Sequence, residues 1–282
     1  MSYMDRFTAC TLFDQTRYIK FQIEDDIVGY MSREVAEALC KFPEVFQSTE
    51  RGVVLAPSLV GFDQRTDAVA EVLSILRGQG IISRWYNEPY TVSKSFSSPP
   101  LLTIERGAIP LFGSYGYGVH INGFVRNGGQ LKMWVGRRAY DRPAEPGKLD
   151  QIVAGGQPAG LSLEENVIKE SAEEAGMPAE LATQAIPVGA ISYVTERPEG
   201  LRRDVLFNYD LELPLDFKPT NTDGEVAEFL LWPIEDVAAC VESSDDFKFN
   251  CSLVVIDFLI RHGYIKPDHP EYLDLLKGLH SA

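Results

Sequence analysis

The order of strand-like and helix-like segments predicts an α/β protein, a mixed sheet covered by helices and preceded by a small α+β domain. Three observations carry this expectation. The chain has 282 residues, 45% apolar and 24% charged, enough for one large or two ordinary domains with packed cores. A Ser/Pro-rich stretch, Ser93-Lys94-Ser95-Phe96-Ser97-Ser98-Pro99-Pro100, has the composition of a linker or long loop. Beyond it, longer β-branched and aromatic runs alternate with two helical patterns, a spacing that favours a helix-covered sheet over a sandwich.

In the first half, Ser32 is a good N-cap for a helix bearing Val35, Leu39 and Phe42 on one face. A second helix is expected over 66–77, with Val69, Val72, Leu73 and Leu76 inward and Gly78 as its stop. Short strands are expected at 18–23, 53–55 and 90–92. The domains are expected to divide as residues 1–110 and 111–282.

In the second half, 119–125 and 131–135 read as a hairpin closed by Asn127-Gly128-Gly129. Further strands are expected at 186–193, 205–211 and 229–232. One helix runs from Leu163 to Ala175, and another from Cys251 to Arg261 with Asn250 as its N-cap.

Asp and Glu outnumber Lys and Arg by 41 to 26, a net charge of −15. That charge disfavours nucleic-acid and anionic-membrane partners, and a polyanionic small substrate would need a local cation. No apolar run reaches transmembrane length, and no basic-then-apolar leader is visible at the N-terminus. Cys10, Cys40, Cys240 and Cys251 lack paired spacing, and His120, His262, His269 and His280 lack zinc spacing. These signs together set the expectation of a cytoplasmic protein.

The chemistry concentrates in residues 155–177. Ser162 and Glu165 form a capping box, and Gly176 sits where a helix-ending glycine belongs. Glu170, Glu173 and Glu174 follow at i, i+3 and i+4, on one arc of the helix. Leu163, Val167 and Ile168 are expected on the opposite, core side. Like charges at this spacing destabilise a helix by a few tenths of a kcal/mol per pair. A hard cation such as Mg²⁺ would remove that repulsion and keep positions free for water and phosphate oxygens.

This segment resembles the Nudix box, G-x5-E-x7-R-E-U-x-E-E-x-G-U, with U a bulky aliphatic residue. Gly155, Glu170, Glu173, Glu174, Gly176 and Met177 match, while Leu161, Lys169 and Ser171 depart. At usage near 7% per residue type, the five identities arise by chance in roughly one window per million, so the match is specific. Lys169 keeps the charge of the box arginine without its planar fork.

The likeness extends to Lys148-Leu149-Asp150, Ser192-Tyr193-Val194, Asp223-Gly224-Glu225-Val226 and 257–263. It is to the Nudix branch related to thiamine pyrophosphokinase, which carries an N-terminal domain of unassigned function. The resemblance implies an α/β/α sandwich and Mg²⁺- or Mn²⁺-dependent hydrolysis of a diphosphate linked to an organic group. In this branch the implied substrates are thiamine diphosphate and its oxidised analogues. ADP-ribose or another nucleoside-diphosphate derivative, and a silent nucleotide-binding module, are the alternatives.

On this resemblance Glu170, Glu173 and Glu174 are the expected metal ligands, joined by the Gly155 carbonyl. Glu173, Glu174 and Glu228 are the expected catalytic carboxylates, with Glu225 second to Glu228. Arg137 and Arg138 are placed to meet substrate phosphate. Tyr193, with Trp134, is a candidate to stack on a substrate ring, core packing being the competing reading. The expected partner is a small-molecule diphosphate, with a homodimer left open.

Overall fold

The computed structural model describes residues 2–280. After helix α1 (Tyr3–Cys10), the first half runs β1 (Tyr18–Ile23), β2 (Asp26–Ser32), α2 (Arg33–Leu39), β3 (Phe46–Thr49), β4 (Gly52–Leu55) and α3 (Phe62–Gly78). It ends with β5 (Pro89–Val92), β6 (Leu102–Glu105) and the short α4 (Ile109–Phe112). The first four strands form one sheet in the order β2-β1-β4-β3, and β5 pairs with β6. Ser32 caps α2 as expected, its hydroxyl accepting from the Val35 N–H at 3.2 Å. Val69, Val72, Leu73 and Leu76 of α3 bury against Phe21, Phe46 and Phe112. Helix α3 begins four residues before the expected Thr66, led in by Gly61 at φ 83°.

The boundary expected after residue 110 falls inside α4. Phe112 packs against Phe21 and Phe46 at ring-centroid distances of 5.2 and 5.9 Å, so it belongs to the first core. Helix α1 crosses the other way. Its Tyr3, Phe7 and Cys10 bury in the core of the second half.

The second half comprises β7 (Tyr115–Asn127), β8 (Gln130–Arg138), β9 (Leu149–Gln151), β10 (Val153–Gly156), α5 (Leu163–Ala175) and α6 (Ala179–Ala182). It continues through β11 (Ile186–Arg197), β12 (Gly200–Glu212), β13 (Val226–Pro233), α7 (Ile234–Ser243), α8 (Cys251–Arg261) and α9 (Tyr272–Gly278). The sheet order is β11-β12-β7-β8-β13, and it is mixed because β12 runs parallel to β7. Gly128 and Gly129 close the β7–β8 hairpin with φ of 58° and 85°, the left-handed pair a tight hairpin requires. Two cores lie on the two faces. One packs α5 and α6 against Val119, Ile121 and Leu211; the other packs α1, α7, α8 and α9 against Phe124, Met133 and Leu206. This is an α/β/α sandwich.

Asn250 precedes α8 but makes no side-chain cap; its amide instead donates to the Tyr193 hydroxyl at 3.0 Å. The Ser/Pro-rich stretch lies against the second sheet, Phe96 meeting Tyr117 and Phe207 at 5.0 and 4.7 Å.

Candidate active site

The site begins where two strands part. β8 pairs with β7 only through Gln130–Met133. In the gap that opens, β10 pairs with β7 at residues 118–121 and β9 pairs with β8 at residues 135–137. The turn after β10 carries the chain into α5. Ser162 accepts from the Glu165 N–H at 3.2 Å while Glu165 accepts from the Ser162 N–H at 2.8 Å. Gly176 ends the helix at φ 59°, ψ 28°.

The helix face differs from the one expected. Asn166, Val167, Glu170, Ser171, Glu174 and Ala175 are the buried residues of α5. Val167 lies three before Glu170 and seven before Glu174, spacings that put all three on one side. Glu170 and Glu174 therefore sit on the core-facing side beside Val167, and Glu173 stands at its exposed edge. Glu174 accepts from the Ala154 N–H at 2.8 Å. Lys169 Nζ lies 2.9 Å from Glu170 Oε1 and 2.8 Å from Glu173 Oε2.

Burial pushes the Glu170 carboxyl above its ordinary range, against the pull of Lys169. Burial, with the Glu170 charge beside it, pushes Glu174 well above. Two carboxylates are thus held where their charges are costly, a condition that a bound cation relieves. Gly155 completes the cradle, for a Cβ there would overlap the Glu170 carboxylate. An all-oxygen donor set of this kind fits Mg²⁺ or Mn²⁺.

The expected Gly155 carbonyl is not turned to this set. It points across to β7, 2.9 Å from where a Cβ of Gly118 would stand. Strand alternation gives that direction to Val153 and Gly155, and the opposite one to Ala154. The carbonyl on the glutamate side is therefore that of Ala154, whose N–H already reaches Glu174.

Beside the glycine loop is a cavity of about 220 Å³, lined from both halves of the chain. Its cations are Arg84, Arg106, Arg138, Arg142, Arg202 and Lys248, a concentration of positive charge in an acidic protein. The three glutamates do not line it; Ala154 and Gly155, which Glu174 and Glu170 contact, do, together with Gly156. Arg138 lines the cavity, where Asp150 fixes it at 3.1 Å.

Arg137 is tied instead to Glu228 at 2.7 Å and to the Gly147 carbonyl at 3.0 Å, and neither it nor Glu228 reaches the cavity wall. A bulge between Val226 and Glu228 sets Glu228 opposite Arg137. Glu225 lines the cavity in its place, paired with Arg142 at 2.8 Å. Tyr193 is 1% exposed, its hydroxyl donating to Asp204 at 2.5 Å, so its ring is core and not a stacking wall. Trp134 packs with the α5 core. The aromatic residues at the cavity are Tyr86, Tyr90 and Tyr117.

One group went unseen in the sequence. His120, Asp150 and Cys251 bring their donor atoms within 4.8 Å of one another, all buried. The Cys251 thiol donates to Asp150 at 2.7 Å, and Arg138 and Lys248 both pair with the same carboxylate. The Asp150 carboxyl lies at about 2, because Lys248 and Arg138 outweigh its burial. With its oxygens engaged in this way, the cluster is an anchor for cavity cations. Separations of 30 and 101 residues left no pattern by which to find it.

The fold and the site together define a class, an α/β/α sandwich with an acidic site on the helix that follows a glycine loop. Residues 2–115 match a family described as a domain of unknown function (DUF4743). Over 267 residues the chain is 47% identical to Nudix hydrolase 24, chloroplastic, of Arabidopsis thaliana, covering 94% of this chain and 73% of that protein. It is 46% identical to Nudix hydrolase 20, chloroplastic, of the same plant, covering 93% and 72%. Among solved structures, a MutT/nudix family protein from Enterococcus faecalis aligns at TM-score 0.43 and 17% identity, over 58% of this chain and 68% of that one. At such identity over nearly its whole length, the chain belongs to the Nudix hydrolase family. It is an enzyme of that hydrolase class, acting on small molecules.

Proposed function

We propose that this enzyme hydrolyses a diphosphate linked to an organic group, using Mg²⁺ or Mn²⁺ held by Glu170, Glu173, Glu174 and the Ala154 carbonyl. The observation that carries the reading is the burial of Glu170 and Glu174 against the glycine loop, beside a cation-lined cavity. Bound there, the ion would neutralise phosphate charge and lower the cost of forming the nucleophile. The chain's own residues supply the rest. Lys169 holds Glu170 and Glu173 in position, and the Ala154 N–H fixes Glu174. We assign Glu225, which lines the cavity, to take the proton of the attacking water. Water attacks the terminal phosphorus, the anhydride P–O bond breaks, and the products are the organic monophosphate and phosphate.

For the organic half we propose thiamine diphosphate or an oxidised analogue, supported by the chain-long resemblance to that branch. Metal-held phosphate discriminates poorly, so specificity must come from the cavity wall, where Tyr86, Tyr90 and Tyr117 offer aromatic surface. The test is kcat/KM for thiamine diphosphate, its oxo analogue and ADP-ribose with Mg²⁺ or Mn²⁺, following phosphate and monophosphate. A thiamine compound is expected to lead. A tenfold preference for ADP-ribose would defeat the substrate assignment and leave the diphosphatase class standing.

A further inference from the structure

The first half of the chain reaches the site through Tyr90 of β5 and the turn after β6. A Cβ on Gly156 would overlap the Tyr90 hydroxyl and lie 3.5 Å from Arg106 Cζ. The Arg106 guanidinium therefore stands against the glycine loop, close enough that its charge favours the ionised form of Glu170. It lies 4.8 Å from the Tyr86 ring and 5.7 Å from the Tyr90 ring. Its side-chain hydrogen bond uses one nitrogen, to Glu88 at 2.9 Å, which leaves most of a five-donor fork open.

Of the cavity's other cations, Arg138 and Arg202 are more heavily engaged, and Arg84, Arg142 and Lys248 do not stand against the glycine loop as Arg106 does. Arg138 serves the Ala144 and Glu145 carbonyls and Asp150. Arg202 pairs with Asp204 and Glu199, Arg142 with Glu225, and Lys248 with Asp150. Arg84 donates to the Pro143 carbonyl.

We infer that Arg106 binds the diphosphate of the substrate, so that the N-terminal domain supplies part of the active site. This rests on the reading of the glutamates as the metal site. Two free nitrogens in a planar fork match two phosphate oxygens, and the Tyr86 and Tyr90 rings hold the guanidinium plane beside the loop. The ion pair with Glu88 occupies Nη1 alone and leaves Nε and Nη2 for the phosphate.

The experiment uses the full chain and inorganic imidodiphosphate, a non-hydrolysable probe, with calorimetry in Mg²⁺. Mn²⁺ binding alone is followed in parallel by electron paramagnetic resonance. Arg106→Gln should weaken imidodiphosphate binding tenfold or more and leave Mn²⁺ binding as in wild type. Arg106→Lys should weaken it less, and Glu88→Gln, which frees the guanidinium, should leave it unchanged or tighten it. If Arg106 served only to bind Glu88 and join the two halves, Glu88→Gln would weaken the probe as much as Arg106→Gln, and the inference would fall. It would fall equally if Arg106→Gln bound the probe within twofold of wild type while retaining Mn²⁺. Should Arg106→Gln not fold, Arg106→Lys decides, with a threefold loss in support and an unchanged constant against. Wild type that fails to bind Mn²⁺ would defeat the metal-site reading itself, and this inference with it.

Discussion

At Glu170 and Glu174 the chain sets charge against burial. Both are buried side by side, and burial raises each carboxyl above its ordinary range. Lys169 is the local counterweight, bridging Glu170 and Glu173 at 2.9 and 2.8 Å. An ammonium does this as a point charge, so its partners set the distance more than the angle. Lys169→Arg should accordingly retain activity or raise it, and Lys169→Met should lower kcat/KM about tenfold or more. Steady-state kinetics on the three proteins check this, and equal values would remove the positioning role. The glutamates themselves were legible as a constellation because their identities and spacing are a motif. Their orientation was misread, since a pattern that assigns only apolar residues to the core side leaves no reason to bury carboxylates beside Val167.

At the scale of elements, the site depends on a helix held close to a strand. Ser162, Glu165 and Gly176 fix both ends of α5 by local hydrogen bonds, which is why its limits could be read from the sequence. The strand it packs against could not. β9 and β10 have three and four residues, too short for periodicity, and they exist because β7 and β8 diverge. Gly155 is the tightest point of the contact. Gly155→Ala would force the Glu170 carboxylate aside, with the helix ends untouched. The expected result is a loss of activity of tenfold or more with wild-type helix content by circular dichroism. Unchanged kinetics would show that the cradle is not needed. Glu228 was named for its place just before an expected strand, and Tyr193 for its aromatic ring. A bulge in β13 and the Tyr193–Asp204 hydrogen bond decide their surroundings, and neither is a local property.

At the scale of the whole molecule, two cores divide the second half, and α1 from the far end of the chain helps to fill one of them. A mixed sheet covered by helices was legible from the alternation of strands and helices, and the α/β/α layer order came from the family resemblance. The docking of α1 and the cavity between the halves were not, because they join residues distant in sequence. The interior under the cavity also carries a pH signature. Burial lowers the His120 imidazole from its ordinary 6.5 to about 4. The unfolded chain binds that proton first, so stability is fully present above 6.5 and falls as the pH drops toward 4. The loss between pH 7 and 5 should be on the order of 2 kcal/mol. Urea unfolding at the two pH values checks this, with His120→Gln showing a correspondingly smaller loss. Equal losses in both proteins would place the acid sensitivity elsewhere.

We propose a metal-assisted diphosphate hydrolysis that depends on the α5 carboxylates. Its most direct test is the rate of phosphate release over a Mg²⁺ titration for wild type and Glu174→Gln, which removes the charge at nearly constant volume and can still accept from the Ala154 N–H. Wild type should saturate with Mg²⁺ and fall silent in excess chelator, and Glu174→Gln should lose activity by orders of magnitude while remaining folded. Activity that survives both the substitution and the chelator would rule out metal-dependent chemistry at these carboxylates.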